Sequence, residues 1–305
     1  MMNGKVKTVK RRTRISKLEI KEAVHGYLFL VPTVVLFVIF SLVTVIMGFV
    51  YSFTDMAPGN PNSFNWTLYN YEYIFQDKVY LHSILNVFIY CLMSVPMSIV
   101  TSLLVAALLN RKLKGIKVFR VLYYLPAVTS GIATAFIWRS LYSDNGLLNT
   151  IITQWFGASE GLDWVNTQNY FAMFCIAIVT TWGGLGGNML IYLAGMQSIS
   201  PELYEAAKLD GANGFQRLMK ITVPMLRPTT YFVMTMGIIG AFQLFDVVAM
   251  IGGSGNYFTQ TPVTQIEGSF RHGEGGMASA QSVILFVVIM LVTFLTQSLV
   301  KERKK

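Results

Sequence analysis

Six long stretches without a charged residue alternate with short polar segments along the chain. Four of them, residues 27–51, 83–109, 170–196 and 277–300, each exceed twenty residues. Residues 121–137 form a further stretch, extended by Trp138 through Tyr142, and residues 229–245 form the last, continuing past Asp246 to Gly252. At ~1.5 Å rise per residue, about twenty apolar residues cross the ~30 Å hydrocarbon layer of a bilayer. The pattern therefore predicts an all-α polytopic membrane protein with six transmembrane helices. It divides the chain into a polar lead (residues 1–26), a first helix with its outer loop (27–82), a core of five helices (83–300) and a short tail (301–305).

The connecting segments have their own character. Pro58-Gly59-Asn60-Pro61 reads as a turn, and Trp66, Tyr69, Tyr71, Tyr73 and Phe75 after it suit the headgroup level as an aromatic belt. In the loop 143–169, residues 147–152 are apolar enough either to lie on the membrane surface or to form a plug-like helix. The loop 253–276 is rich in glycine and reads as flexible. Gly252, Gly253, Gly255, Gly273, Gly275 and Gly276 do not make a phosphate cradle, because the chain contains no Gly-x-x-x-x-Gly-Lys-Ser/Thr.

Composition agrees with this reading. Of 305 residues, 53% are hydrophobic and 13% charged, about half the ~25% charge of a soluble domain. The net charge of +9 raises the question of nucleic acid, and its placement answers it. Residues 1–26 hold eight Lys or Arg, 110–120 five, 197–228 four and 301–305 four, leaving Lys78, Arg139 and Arg271 for the other side. That is the positive-inside bias; it places both termini in the cytoplasm and argues against a nucleic-acid surface. The long basic lead, the long apolar run and the lack of a small-residue cleavage site after it argue against a cleaved signal peptide. Cys91 and Cys175 fall inside spans without metal-ligand spacing, and His25, His82 and His272 are scattered, so no metal site is expected.

The most polar, turn-rich stretch is EAAKLDGANGFQRLMKITVP, residues 205–224. Ser200 suits an N-cap, Pro201 the first helical position, and Glu202 and Glu205 the positive end of the helix dipole. Leu203, Ala206 and Ala207 form a small apolar face. Gly211 stops this helix, and Asn213 caps a second one predicted over residues 214–222, with Pro224 and Pro228 behind it. The product is a helix–turn–helix that either docks another surface or lies on the membrane as an amphipathic linker.

The residues Glu205-Ala206-Ala207, then Gly211, then Ile221-Thr222-Val223-Pro224 resemble the signature loop of ABC-importer permeases, with Val223 in place of the usual Leu. Tyr123-Tyr124-Leu125-Pro126, Gly146-Leu147-Leu148-Asn149, residues 190–212 and Phe242-Gln243-Leu244-Phe245-Asp246 resemble the sugar permeases of the maltose and glycerol-phosphate type. The resemblance covers residues 27–300. It implies a type I ABC-importer permease fold whose loop, residues 197–228, forms coupling helices that dock into a groove on a cytoplasmic ATPase. Glu205, Ala206, Ala207, Asp210, Gly211, Ile221 and Pro224 would make that joint. The implied partners are a second homologous permease, two ATPase subunits or domains, an extracytoplasmic sugar-binding protein and the bilayer. ATP would be bound by those partner subunits, with no cofactor and no catalysis on this chain.

Arg139 and Asp246 are the ionisable residues inside spans; either they pair or each reaches headgroup water. The fourth span carries Gly183, Gly184, Gly186, Gly187 and Gly195, which either let helices approach closely or leave room for a ligand. Thr180, Gly184, Gly187 and Asn188 share one face, and Trp182 and Gln243 have the aromatic and amide chemistry of sugar sites. By the family resemblance, sugar contacts fall at Thr180, Gly183, Gly184 and Gly187, then Thr235 and Phe242, with Asp246 close by. The residue types differ from the maltose-type pattern at most of these positions, which implies a different sugar, probed best as an oligosaccharide. A glycerol-phosphate substrate would need a cation, and Arg139 is the one available. A self-contained secondary transporter is disfavoured by the missing coupling acids and inverted repeat.

Overall fold

A computed structural model describes residues 17–60, 64–111, 114–252 and 255–302. The expectations for residues 1–16 of the lead, for Gly253 and for residues 303–305 of the tail lie outside these described residues. The chain forms two compact units, divided at Val50. The first is helical: α1 (Lys17–Phe37) passes through a π-helical turn, Val38–Leu42, into α2 (Val43–Tyr51). Residues 25–47 are exposed on every face, and His25–Tyr51 is long and apolar enough to cross a membrane. A helix apolar all round needs a nonaqueous surrounding, which the bilayer supplies.

The second unit is nearly all helical. In chain order it contains α3 (Tyr69–Ile74), α4 (Lys78–Leu109), α5 (Ile116–Val128), α6 (Gly131–Leu141), α7 (Leu147–Gln154), α8 (Tyr170–Gln197), α9 (Pro201–Leu209) and α10 (Gly214–Arg217). A π turn, Leu218–Thr222, leads into α11 (Val223–Met225) and α12 (Arg227–Phe242); a second, Val248–Gly252, precedes α13 (Pro262–Arg271) and α14 (Gly275–Glu302). Among the described residues the strand-type pairing is limited to one antiparallel bridge, Thr54 with Trp66.

The long helices α4 and α8 form the central pair. The Tyr90 hydroxyl donates to Thr180 Oγ1 at 2.8 Å, and Asn188 Nδ2 donates to Ser98 Oγ at 2.9 Å. Both pairs carry the same sequence offset, so the two helices run parallel, as two spans separated by one return crossing must. Polar pairs of this kind are stabilising inside a membrane, worth about 0.6–2 kcal/mol each. At the basic end, Leu109, Met189, Tyr192, Met196 and Leu226 pack into one core; at the other, Tyr90, Met173, Ile176, Leu244 and Val248 pack into another.

Two of the six predicted spans differ from a straight rod. The third is bent by 96° between α5 and α6. Pro126 removes an amide donor from α5, and the Thr129 hydroxyl donates to the Leu125 carbonyl at 2.9 Å. Thr129 and Ser130 are then extended, with ψ 141° and 134°. Proline, hydroxyl competition for a carbonyl and the following Gly131 together break the helix. The fifth predicted span does not continue to Gly252 as one helix. It closes after Phe242 with short turns from the amides of Gln243 and Leu244, and helix resumes at Asp246. The carbonyl of Leu244, freed by the break, accepts the Thr261 hydroxyl at 2.8 Å.

The loop 253–276 also departs from its expected flexibility. Its described part contains α13, opened by a reciprocal capping box between Thr261 and Thr264 and packed on α14. The apolar residues 147–152 fall within α7 (Leu147–Gln154).

Candidate functional site

The loop between α8 and α12 is built as two capped helices. Ser200 precedes α9 without a side-chain cap bond, while Pro201 occupies its first turn. At the other end Gly211 has φ +79°. Its amide donates to the Lys208 carbonyl at 3.1 Å, and the Ala212 amide to the Ala207 carbonyl at 2.9 Å. This is a Schellman ending, and it requires the left-handed conformation that glycine adopts without strain. Asn213 and Gln216 then close a capping box, at 2.9 and 2.8 Å. The second helix runs further than the predicted 214–222: the π turn carries it to Met225, and Pro224 falls where its missing amide is tolerated in a first turn.

Glu205, Ala206, Asp210 and Gly211 are exposed, and Ala207, Ile221 and Pro224 are half-buried. Around them Leu209 is 89% and Phe215 69% exposed. These two apolar side chains stand open on an otherwise polar element. The sequence reading missed how the two helices are held together. The Tyr204 hydroxyl lies 2.9 Å from Thr222 Oγ1 and joins α9 to the π turn. Tyrosine on the inner face of a short amphipathic helix was the available signal.

In the middle of α8 the glycines divide into two kinds. A Cβ on Gly186 would sit 2.7 Å from both Tyr123 O and Tyr124 Cα of α5, and one on Gly195 would sit 2.7 Å from Thr229 Oγ1. These two are packing glycines. Gly183, Gly184 and Gly187 have no atom within 4 Å of the same position. Trp182, 37% exposed, stands beside them with its ring held edge-on by Trp138, centroids 5.9 Å apart. Trp138 is a residue the site reading did not include.

The other candidate residues separate. Thr180 and Asn188 are engaged with α4 through the bonds to Tyr90 and Ser98. The Thr235 hydroxyl donates to its own helix, at the Tyr231 carbonyl, 2.9 Å away. Phe242 is fully buried against Phe88, Ile238 and Leu285, so its ring belongs to the packed core of this chain. Gln243 and Asp246 are exposed at the helix break. Asp246 does not pair with Arg139: its Oδ2 lies 3.9 Å from the Cβ position of Gly131, at the start of α6, while Arg139 Nη1 donates to the Met250 carbonyl at 3.4 Å. Among the described residues the ion pair is Glu267–Arg271.

Buried asparagines organise the loops at the end of the spans away from the basic clusters, which sequence reasoning did not anticipate. Asn149 Oδ1 accepts from the Leu162 amide and Trp164 Nε1, both at 2.9 Å, and its Nδ2 donates to the carbonyls of Leu162 and Ser143. Asn86 Nδ2 donates to the carbonyls of Tyr257 and Gln260, and Asn256 Nδ2 to those of Val165 and Thr167. Asn70 does the same for Ser52 and Thr54. Each ties a loop that composition alone describes only as polar.

Apolar spans, broken helices and a capped loop at the basic end define a multi-pass membrane protein. Residues 75–305 match the family of binding-protein-dependent transport system inner membrane components, and the chain belongs to that family. It is 32% identical over 279 residues to the arabinooligosaccharides transport system permease protein AraP of Bacillus subtilis, covering 90% of this chain and 87% of the relative. It is 31% identical over 287 residues to the lactose transport system permease protein LacF of Rhizobium radiobacter, covering 92% and 95%. In fold it is similar to a chain of a bacterial alginate ABC transporter solved in complex with an alginate pentasaccharide-bound periplasmic protein, with TM-score 0.80, 20% identity and coverage of 94% and 98%.

Proposed function

We propose that this chain is the membrane-spanning permease subunit of an ATP-binding-cassette importer for a carbohydrate, best an oligosaccharide. The observation that carries the reading is the open face of α8 at Gly183, Gly184 and Gly187 beside the exposed ring of Trp182. An aromatic face with nearby amides and free backbone suits the alternating apolar and hydroxyl surfaces of a sugar ring. Gln243 and Asp246, freed by the break after Phe242, supply acceptors and a donor toward hydroxyls. The sugar chemistry of AraP and LacF supports the same class.

The importer would comprise a second homologous permease, two ATPase subunits or domains and an extracytoplasmic binding protein. ATP belongs to the partners, since this chain has no phosphate-binding loop. Both termini and residues 197–228 face the cytoplasm, in accord with the clustering of Lys and Arg. Glu205, Ala206, Ala207, Asp210, Gly211, Ile221 and Pro224 form the joint that the ATPase grips. A glycerol-phosphate substrate is less well served, because Arg139 is already turned to the Met250 carbonyl.

The test is uptake at subsaturating sugar in vesicles carrying the complete importer. Trp182→Ala and Gln243→Ala each lose a contact worth about 1–3 kcal/mol, roughly a five- to hundredfold drop in apparent affinity, with assembly intact. Wild-type uptake by both variants removes these residues from the pathway.

A further inference from the structure

At the basic end of the spans, a cleft of about 660 Å³ opens between the last turns of α4, the end of α8 and the two short helices of the loop. That volume lies within the ~300–1,000 Å³ of pockets that hold small ligands. Its lining is divided. Leu104, Leu108 and Met196 form an apolar wall belonging to the membrane spans, and Asn110, Arg111 and Arg217 form a polar end just beyond them. No residue lining it is acidic.

The two arginines are not otherwise neutralised. Among the described residues neither is in an ion pair, and Arg217 Nε is buried without a hydrogen-bond partner. Arg120 Nε is also buried without a partner, but Arg120 does not line the cleft and its Nη2 donates to the Leu109 carbonyl that ends α4 at 2.9 Å. Lys114, Lys117 and Lys220, close in sequence to Arg111 and Arg217, are all exposed. A buried guanidinium nitrogen without an acceptor is costly, and an anion beside it removes the cost. A molecule with an anionic head at the polar end and an apolar body along α4 would match both parts of this lining.

We propose that this cleft binds an anionic phospholipid of the leaflet at the basic end of the spans, its phosphodiester held by Arg111 and Arg217 and its acyl chains lying along Leu104 and Leu108. Basic pockets between spans recognise lipid headgroups by this combination of fixed charge and apolar wall. Because the same cleft is lined by Tyr204 and Thr222, which join the two helices of the loop, a bound lipid would brace the loop against α4.

The full chain is purified with the second permease and without the ATPase partner, reconstituted in nanodiscs of phosphatidylcholine containing phosphatidylglycerol, and re-extracted in mild detergent. Retained lipid is quantified by mass spectrometry. The expected result is enrichment of phosphatidylglycerol over phosphatidylcholine, reduced about fivefold by Arg111→Ala and again by Arg217→Ala, and kept by Arg217→Lys. Leu108 is exposed, so Leu108→Trp obstructs the apolar wall without disturbing the fold and also lowers retention. Unchanged enrichment in the double arginine variant overturns the proposal, as does equal retention of the two lipids. Displacement of the retained lipid by millimolar inorganic phosphate would make this a free-anion site, and loss of the lipid when the ATPase partner is added would make it part of the protein joint; either result also overturns it.

Discussion

The division of the α8 glycines predicts opposite responses to the same small substitution. In Gly186→Ala the new methyl would lie 2.7 Å from two backbone atoms of α5, Tyr123 O and Tyr124 Cα. Ordinary contacts to carbon and oxygen lie near 3.4–4.0 Å, so α5 and α8 must separate by about 0.7 Å or more, and backbone cannot rotate away as a side chain can. Overpacking of this kind costs about 1–3 kcal/mol. Alanine recovers about 0.5–1 kcal/mol over glycine within a helix, which leaves a net destabilisation of up to about 2.5 kcal/mol. Gly187→Ala, one residue along, meets no atom within 4 Å and gains the helix term alone. The two variants should therefore differ by about 1–3 kcal/mol in unfolding free energy when denatured from mixed micelles, with Gly187→Ala the more stable. Equal stabilities, or a more stable Gly186→Ala, would refute the close crossing of α5 and α8. If Gly187 also faces the transport path, Gly187→Leu lowers uptake without lowering stability.

Three further outcomes follow from individual contacts. Asn149→Ala leaves the Leu162 amide and the Trp164 indole without their acceptor and should destabilise the loop by about 2–4 kcal/mol, read as faster proteolysis between residues 155 and 168. Tyr204→Phe removes the bond to Thr222 and should cost about 1 kcal/mol, seen as faster amide exchange in residues 201–209 with the spans unaffected. Asp55 accepts from the Asn65 side-chain amide and backbone amide, and these bonds hold its pKa below the ordinary carboxylate value. A carboxylate depressed in the folded state contributes above its unfolded pKa and loses that contribution as pH falls through the folded one. The protection factor at the Asn65 amide, which removes the intrinsic pH dependence of exchange, should therefore be constant at neutral pH and fall only below about pH 4.

Much of this architecture is legible in the sequence because a bilayer imposes strong rules. Uncharged length locates the spans, and the helix ends of the loop between α8 and α12 are written in Pro201, Gly211 and Asn213, whereas Ser200 makes no side-chain cap bond. The breaks are harder. Pro126 and Thr129 carry a local signal for the bend between α5 and α6, but the same residues occur in helices whose neighbours keep them straight. The interruption after Phe242 has no proline or glycine at residues 243–245; it depends on Thr261, distant in sequence, reaching the Leu244 carbonyl. Likewise, glycine periodicity shows that α8 is thin on several sides without telling which side meets α5. Phe242 looked like a pathway aromatic by motif, whereas its surroundings, Phe88 and Leu285, come from helices that only the tertiary structure brings together.

The central claim is that sugar movement through this chain is coupled to a partner ATPase at the loop of residues 197–228. Its most direct test is uptake of labelled sugar into proteoliposomes that contain the complete importer, with ATP on the loop side and loaded binding protein on the other. The wild-type chain should transport only when both are present. Gly211→Trp, which forces a side chain into the left-handed turn that ends α9, and Glu205→Lys should abolish ATP-coupled uptake while the chain still co-purifies with the second permease. Normal uptake by both variants, or wild-type uptake driven by an ion gradient with no ATPase present, would contradict the account.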